Sequence, residues 1–385
     1  MRVIDYTVRF RRDLRREMKG QYRKALLAEL DPIIDLLILD APLPVRLQDH
    51  SLTGNLHDHR DLHVRPDLVL IYRKPSAEIL QLVRLGTHSE LGLLDYRDPM
   101  PLTADDLKLS TLFSLEGKTA VLTGASGFLG RTFALALLAN GARVVALGRS
   151  ERLLTEAKLW ADQFGADKIA VEQIDMYNVD ALNTLCDKIA AEEKSIDILI
   201  NNAHELGSAT GFNVPEGSLE NSTFDQWQRN LQGGVYWAVQ TTQRLGVKMK
   251  EQHRGSIINI ATMYASVAPR PQLYEGTASL NPPGYSASKA ALAAFTRYTA
   301  SFWGREGVRA NCISPGPFSN TEDIGTGQNA VQEDSPFVKR LKGYTVLDRI
   351  GRPIELCGAL LFLASDASTY VTGQNLNVDG GWTAV

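Results

Sequence analysis

Tyr285 and Lys289 close the stretch Tyr285-Ser286-Ala287-Ser288-Lys289, and a spacing of four puts both side chains on one face of a helix. A cation beside a phenol favours phenolate and lowers the tyrosine pKa from about 10 toward the working pH. Such a phenol can give a proton to a carbonyl oxygen or take one from an alcohol. Upstream, Thr123-Gly124-Ala125-Ser126-Gly127-Phe128-Leu129-Gly130 offers glycines for a sharp turn and close backbone approach to a pyrophosphate, with a helix N-terminus behind it. After the next apolar segment comes Ala146-Leu147-Gly148-Arg149-Ser150. An acid there would bond a ribose 2′-hydroxyl, whereas arginine suits a 2′-phosphate. Arg149 therefore points to NADP(H), with NAD(H) the alternative and a solvated surface arginine the plain reading. A second chemistry lies near the start, where five of the seven histidines (His50, His57, His59, His63, His88) fall within the first 95 residues. Histidine titrates near neutrality and can move protons in both directions. His57, His59, Asp61 and His63 would also share one face of an extended strand, as zinc ligands could, though without the tighter Cys/His spacings of a metal site.

The elements that must position these residues fall into two patterns. Residues 1–95 read as a small α+β unit. A basic helix runs from Arg9 to Lys19 with Phe10, Leu14 and Met18 on one face, and a second runs from about Tyr22 to Leu39, interrupted near Pro32. Extended segments follow around Asp61–Val64, Leu68–Tyr72 and Ile79–Leu85, which predicts an antiparallel sheet with helices on one side. Residues 96–111 form a linker in which Met100 could mark the start of a once separate protein. From there on, apolar strands at Thr119–Thr123, Arg143–Leu147, Ile169–Ile174, Ile196–Asn201, Ser256–Ile260, Val308–Ile313 and Gln374–Val378 alternate with helices. That order predicts an α/β doubly wound parallel sheet covered on both faces.

Residues 112–385 resemble a short-chain dehydrogenase/reductase with a Rossmann sheet. The matching pieces run in family order: the glycine turn, Asp175, Asn201-Asn202-Ala203, Asn230-Leu231-Gln232-Gly233, Tyr285/Lys289, Ser314-Pro315-Gly316-Pro317, and the tail from Phe362-Leu363-Ala364-Ser365-Asp366 to Val378-Asp379-Gly380-Gly381. The resemblance implies hydride transfer between an NAD(P) nicotinamide and an alcohol/carbonyl pair. Tyr285 would be the general acid/base, and Lys289 would hold the nicotinamide ribose and depress the tyrosine pKa. Asn230 would anchor a water-linked proton path, and Thr262 would replace the family's serine. The implied cofactor-binding set is Thr123, Gly124, Ser126, Gly127, Phe128, Leu129, Gly130, Arg149, Asp175, Met176, Asn202, Ala203, Tyr285, Lys289, Pro315 and Gly316. Three features depart from the common pattern. The spacing Gly124/Gly127/Gly130 is that of the extended branch, and His204 replaces the usual glycine. The stretch from Thr262 to Tyr285 is about ten residues longer than usual and rich in proline. That insertion would border the active site, and it resembles the loop of bacterial reductases that modify sugars.

Residues 1–95 resemble the YafQ branch of RelE-type toxins. The resemblance rests on Asp49-His50-Ser51-Leu52-Thr53-Gly54, the run Arg60-Asp61-Leu62-His63-Val64-Arg65-Pro66-Asp67 continuing to Tyr72, and Gly86-Thr87-His88. Those are metal-independent, ribosome-dependent mRNA endonucleases held by a cognate antitoxin. The resemblance implies His50, His63, Asp67 and His88 as the catalytic set, mRNA in the ribosomal A site as partner, and the RNA 2′-hydroxyl as nucleophile. Arg60 and Arg84 could stabilise phosphate charge or form surface ion pairs. Residues 1–24 carry nine Lys/Arg against three Asp/Glu, a charge suited to RNA phosphates.

The whole chain has 385 residues, net charge −3, 44% hydrophobic residues and three scattered cysteines. This argues against a disulfide framework or a membrane span and makes the cytoplasm the default. The reading is a two-part fusion: an NAD(P)-dependent reductase, expected to self-associate, behind a toxin-like ribonuclease. The rival reading leaves one half inert, as scaffold or interaction module.

Overall fold

The computed structural model describes residues 2–19, 26–52, 58–65, 68–87, 91, 104, 107–277, 279–318 and 335–385. The chain divides into two compact units, Met1–Leu102 and Thr103–Val385.

In the first unit, β1 (Val3–Tyr6) leads into α1 (Val8–Glu17) and α2 (Leu26–Ile38). The strands β2 (His50–Ser51), β3 (Arg60–Arg65), β4 (Leu68–Arg73) and β5 (Ile79–Gly86) follow. The sheet order is β1-β5-β4-β3-β2. The pairs from β2 to β5 are antiparallel, as expected. Strand β1 adds to the edge in parallel with β5, so the sheet is mixed at that margin. Thr7 caps α1 through its hydroxyl, which accepts the Phe10 N–H at 3.0 Å and donates to the Val83 carbonyl at 2.7 Å. Helix α2 runs straight through Pro32 instead of breaking there. Leu30, Ile33, Ile34 and Leu37 are buried on the core that Leu62, Leu70, Leu80 and Leu82 present from the sheet. Burial of several such side chains, about 1.5–3 kcal/mol each, outweighs the roughly 3 kcal/mol of an interior proline.

The second unit opens with α3 (Leu109–Leu112) and then alternates β6 (Thr119–Thr123), α4 (Phe128–Ala139), β7 (Arg143–Gly148), α5 (Arg152–Phe164), β8 (Ile169–Gln173), α6 (Val179–Glu192) and β9 (Ile198–Asn201). It continues with α7 (Phe224–Leu231), α8 (Trp237–Glu251), β10 (Gly255–Ile260), α9 (Pro283–Trp303), β11 (Val308–Pro315), α10 (Pro336–Gly343), α11 (Cys357–Ala364) and β12 (Asn375–Val378). All seven strands pair in parallel in the order β12-β11-β10-β9-β6-β7-β8. Alternation along each strand divides its apolar residues between two cores. Ala120, Leu122, Val144 and Ile200 meet Phe133, Leu137 and Trp160 on one face. Val121, Val145 and Leu199 meet Leu182, Ile189 and Leu245 on the other. No helix of the described residues is long and apolar enough to cross a membrane.

Candidate active site

The strand order reverses between β6 and β9, and in open parallel sheets ligands bind beyond the strand ends at such a switch point. The loops after these two strands are clamped together. Thr123 Oγ1 accepts the N–H groups of Asn202 and Ala203, each at 3.0 Å. The Asn202 amide donates to the carbonyls of Thr123 and Gly124, each at 3.1 Å. Gly124 has φ +66°, and a Cβ there would stand 2.9 Å from Ala203 Cα. At Gly130 a Cβ would stand 2.1 Å from the Gly124 carbonyl oxygen, so only glycine lets α4 start this close to the turn.

The result is a cleft of about 1260 Å³ running over the strand ends. It is lined by Gly124, Ser126, Gly127, Phe128, Leu129, Arg149, Asp175, Met176, Asn202, Ala203, Tyr285, Lys289, Pro315 and Gly316, and also by Thr262. Of the sequence-derived cofactor set, Thr123 and Gly130 stay out of the lining. The first clamps the two loops and the second seats the helix. Asn230 lies outside the lining as well. It is buried, its amide donates to the carbonyls of Thr210 and Gln226 at 2.8 Å each, and its Oδ1 has no partner among the described residues. A five-residue π-turn, Gln232–Tyr236, follows it, and such turns are frequent at functional sites.

At the far wall, three groups converge from two elements. Thr262 follows β10, and Tyr285 and Lys289 share one face of α9. The Thr262 hydroxyl stands beside the Tyr285 phenol and favours its ionised form. Lys289, 3% exposed, donates from Nζ to the Ile260 carbonyl at 2.8 Å, and burial lowers its pKa to about 8. Burial raises the phenol above its usual 10, and the neighbouring Thr262 hydroxyl only partly offsets this. The expectation that Lys289 depresses the tyrosine pKa is therefore corrected. The ammonium points at a main-chain carbonyl, and desolvation dominates the phenol. The long segment before Tyr285 packs beside it instead of lining the cleft. Tyr264, Leu273 and Trp382 form a cluster against which Tyr274 and Tyr285 rest.

Sequence reasoning noted His204 but assigned it no role, and it missed Phe212 and Glu205. The rings of His204 and Phe212 meet Tyr285 edge-on at 5.1 and 5.0 Å. Burial, and then Lys289, hold His204 well below its ordinary pKa, so the ring is neutral. Glu205 carries the other missed signal. Arg149, exposed and read as a coenzyme ligand, forms an ion pair with it at 2.9 Å. An acid two residues beyond Asn-Asn-Ala, opposite in sign to Arg149, was the available clue.

Residues 124–383 match the family model described as enoyl-(acyl carrier protein) reductase, of the short-chain alcohol dehydrogenase type. Sorbose reductase of Schizosaccharomyces pombe is 33% identical over 279 residues, 71% of this chain and 99% of its own length. The chain belongs to the short-chain dehydrogenase/reductase family. Another member, the 2-dehydro-3-deoxy-D-gluconate 5-dehydrogenase of Dickeya dadantii, is 32% identical over 71% of this chain and 98% of its own. Among solved dehydrogenase/reductase structures, a gluconate 5-dehydrogenase from Burkholderia cenocepacia, in complex with NADP and tartrate, superposes with TM-score 0.61 at 29% identity. That match covers 72% of this chain and all of the other. Outside the dehydrogenase/reductase region, residues 2–92 match the model for the bacterial YafQ toxin of type II toxin-antitoxin systems.

In that N-terminal unit, His50 and Asp61 face each other across β2 and β3. His50 Nε2 is 3.2 Å from Asp61 Oδ1, within ion-pair distance, and the Gln48 carbonyl, 2.8 Å from Nδ1, orients the ring. His63 lies two residues beyond Asp61 on the same strand face, where a register shift separates it from Arg65. Asp67 and His88, the other two members of the expected set, lie outside the described residues, as does His57. Arg60 is tied to Asp49 at 2.6 Å and Arg84 to the fully buried Asp13 at 2.6 Å, so both guanidiniums already have carboxylate partners. His59 bonds Asp58 at 2.6 Å, and the described residues contain no cluster suited to a metal.

Proposed function

We propose that the C-terminal unit is an NAD(P)(H)-dependent oxidoreductase that interconverts a secondary alcohol and a ketone on a sugar-like or polyol substrate. The observation that carries this reading is the convergence of Thr262, Tyr285 and Lys289 on the wall of a cleft whose other end is the Gly124 turn. The cleft suits a dinucleotide. Main chain can approach closely at Gly124, the first turn of α4 carries no acid, and Arg149 stands at the end of β7. Gly124, Gly127 and the α4 N-terminus would hold the pyrophosphate, and Lys289 the nicotinamide ribose. When bound, the coenzyme supplies or accepts hydride.

The chain's own residues do the rest. Thr262 orients the substrate oxygen. The Tyr285 phenol, kept protonated at neutral pH by burial, donates its proton to that oxygen as a ketone is reduced. In the opposite direction the phenolate takes the alcohol proton. Lys289 would hold the nicotinamide ribose while the proton moves between Tyr285 and the substrate oxygen. Asn230, one layer behind, would anchor the water-linked path that returns the proton. NADP(H) is favoured through Arg149, in keeping with the NADP-bound relative. Sorbose, gluconate and deoxygluconate in the relatives' names share a polyhydroxylated carbon chain, which supports that substrate class. Exposed aromatic rings of Tyr298 and Phe302, stacked 4.2 Å apart on α9, support self-association of this unit. Following NADPH absorbance with a panel of ketoses and keto-gluconates tests the reading. Turnover of at least one is expected, and absence of turnover across ketoses, keto acids and simple ketones would refute it.

For the N-terminal unit we infer a YafQ-like endoribonuclease. The YafQ match over residues 2–92 and the oriented His50–Asp61 pair support it. In addition, Arg9, Arg12 and Arg15 on α1 are exposed and form no ion pair among the described residues. A histidine would take the proton of an RNA 2′-hydroxyl as that oxygen attacks phosphorus, and a second group would protonate the departing 5′-oxygen. The partners would be mRNA on the ribosome and a neutralising antitoxin. Expression of the full chain should arrest growth, and a His50→Ala/His63→Ala version should not. Equal growth of the two would refute the inference.

A further inference from the structure

The Arg149–Glu205 pair crosses the cleft. Strand β6 lies between β7 and β9 in the sheet. Arg149 is the first residue beyond β7, and Glu205 lies four residues beyond β9. The ion pair at 2.9 Å therefore reaches over the end of β6, above the Gly124 turn, and both residues line the cleft.

The two partners are held very differently. Glu205 is only 14% exposed in its side chain. Its Oε2 accepts the Tyr177 hydroxyl at 2.5 Å and stands 3.5 Å from Arg229, whose guanidinium lies over the Tyr177 ring at 5.1 Å. The Arg149 side chain is 59% exposed, and Glu205 is its ion-pair partner. The carboxylate is thus the fixed end and the guanidinium the movable one.

A dinucleotide is read at its adenosine ribose by opposite charges: a carboxylate accepts from a 2′-hydroxyl, and a cation pairs with a 2′-phosphate. Here the cation comes from the usual β7 end and the carboxylate from across the crevice, so both readers occupy one place. A 2′-phosphate would draw Arg149 away from Glu205 and come to rest near the fixed negative charge. A 2′-hydroxyl could donate to Glu205 while the ion pair stays closed.

Resting on the oxidoreductase reading above, we propose that Glu205 is the residue that sets coenzyme choice, acting against NADP(H) and for NAD(H) and so keeping the site open to both. The test is a titration of the full chain with NADPH and with NADH, followed by energy transfer from Trp237, which lines the same cleft. Glu205→Gln keeps the side chain's size and an oxygen for the Tyr177 hydroxyl. It should shift the ratio of the two dissociation constants toward NADPH by roughly tenfold, the value of one hydrogen bond to a charged group. Glu205→Ala gives the same direction should the glutamine variant fold poorly. A shift of at least roughly threefold toward NADPH sustains the proposal, taking three as a clear margin below the tenfold expected for a charged hydrogen bond. A smaller shift, or one toward NADH, overturns it while leaving the oxidoreductase reading intact. Failure of the wild-type chain to bind either coenzyme overturns both.

Discussion

In the C-terminal unit Lys289 is buried with its ammonium on a main-chain carbonyl, whereas in the N-terminal unit Arg60, Arg84 and His50 each face a carboxylate. The parallel sheet gathers every loop that follows a strand at one edge, so residues from six connections can meet in one desolvated cleft. The small N-terminal sheet has no such shared edge, and its ionisable groups are neutralised pairwise across strands and onto α1. Perturbed acid–base chemistry arises where side chains are desolvated without an opposite charge beside them. Desolvation without a counter-charge shifts Tyr285 and Lys289, while the N-terminal groups lie within ion-pair distance of carboxylates.

The largest expected effect separates chemistry from binding. Tyr285→Phe should lower kcat by about 10²–10⁴-fold with NADPH affinity unchanged in titration, and a variant retaining most of its turnover would break the contrast. Next, Leu70→Ala in the core of the first unit, where Leu70 is fully buried, should cost about 2–5 kcal/mol in that unit's denaturant unfolding. NADPH binding should persist, because the two units are separately compact. Loss of both together would show that the two units unfold as one.

The third prediction is a pH window. The folded-state pKa of Lys289, about 8, lies below its ordinary 10.5, so between those values the unfolded chain binds the extra proton. The contribution is therefore unfavourable below about pH 8 and is relieved as pH rises toward 10.5. Relative to Lys289→Met, wild-type stability should climb by up to about 3 kcal/mol across the window. A flat difference would remove the claim that this charge is desolvated. Smallest is Thr7→Ala, which should cost about 1 kcal/mol as a lost helix cap, measured by urea unfolding of the first unit.

Much of this was readable from the chain. The alternation of apolar strands from Thr119 onward located all seven parallel strands, because strands buried on both faces leave uninterrupted apolar runs. The four-residue strand Val3–Tyr6 escaped notice, since VIDY is short and its partner lies some 76 residues away. Pro32 misled because local propensity says nothing of the core that its neighbours reach. Tyr285, Lys289 and Thr262 were legible as motif positions, but the direction of the phenol's shift was not. Sequence shows a cation four residues away and hides both the burial and the carbonyl that engages it. For Glu205 the sequence offers only an acid two residues beyond Asn-Asn-Ala, and its pairing with Arg149 exists only where the β7 and β9 loops meet.

The most direct test of hydride transfer through this cleft is to reduce an accepted ketose with NADPH deuterated at the transferring C4 position and weigh the product. Wild-type protein should give an alcohol with one deuterium on the new carbinol carbon, and Tyr285→Phe should give almost none. A product without label, or equal labelled product from both proteins, would contradict the account.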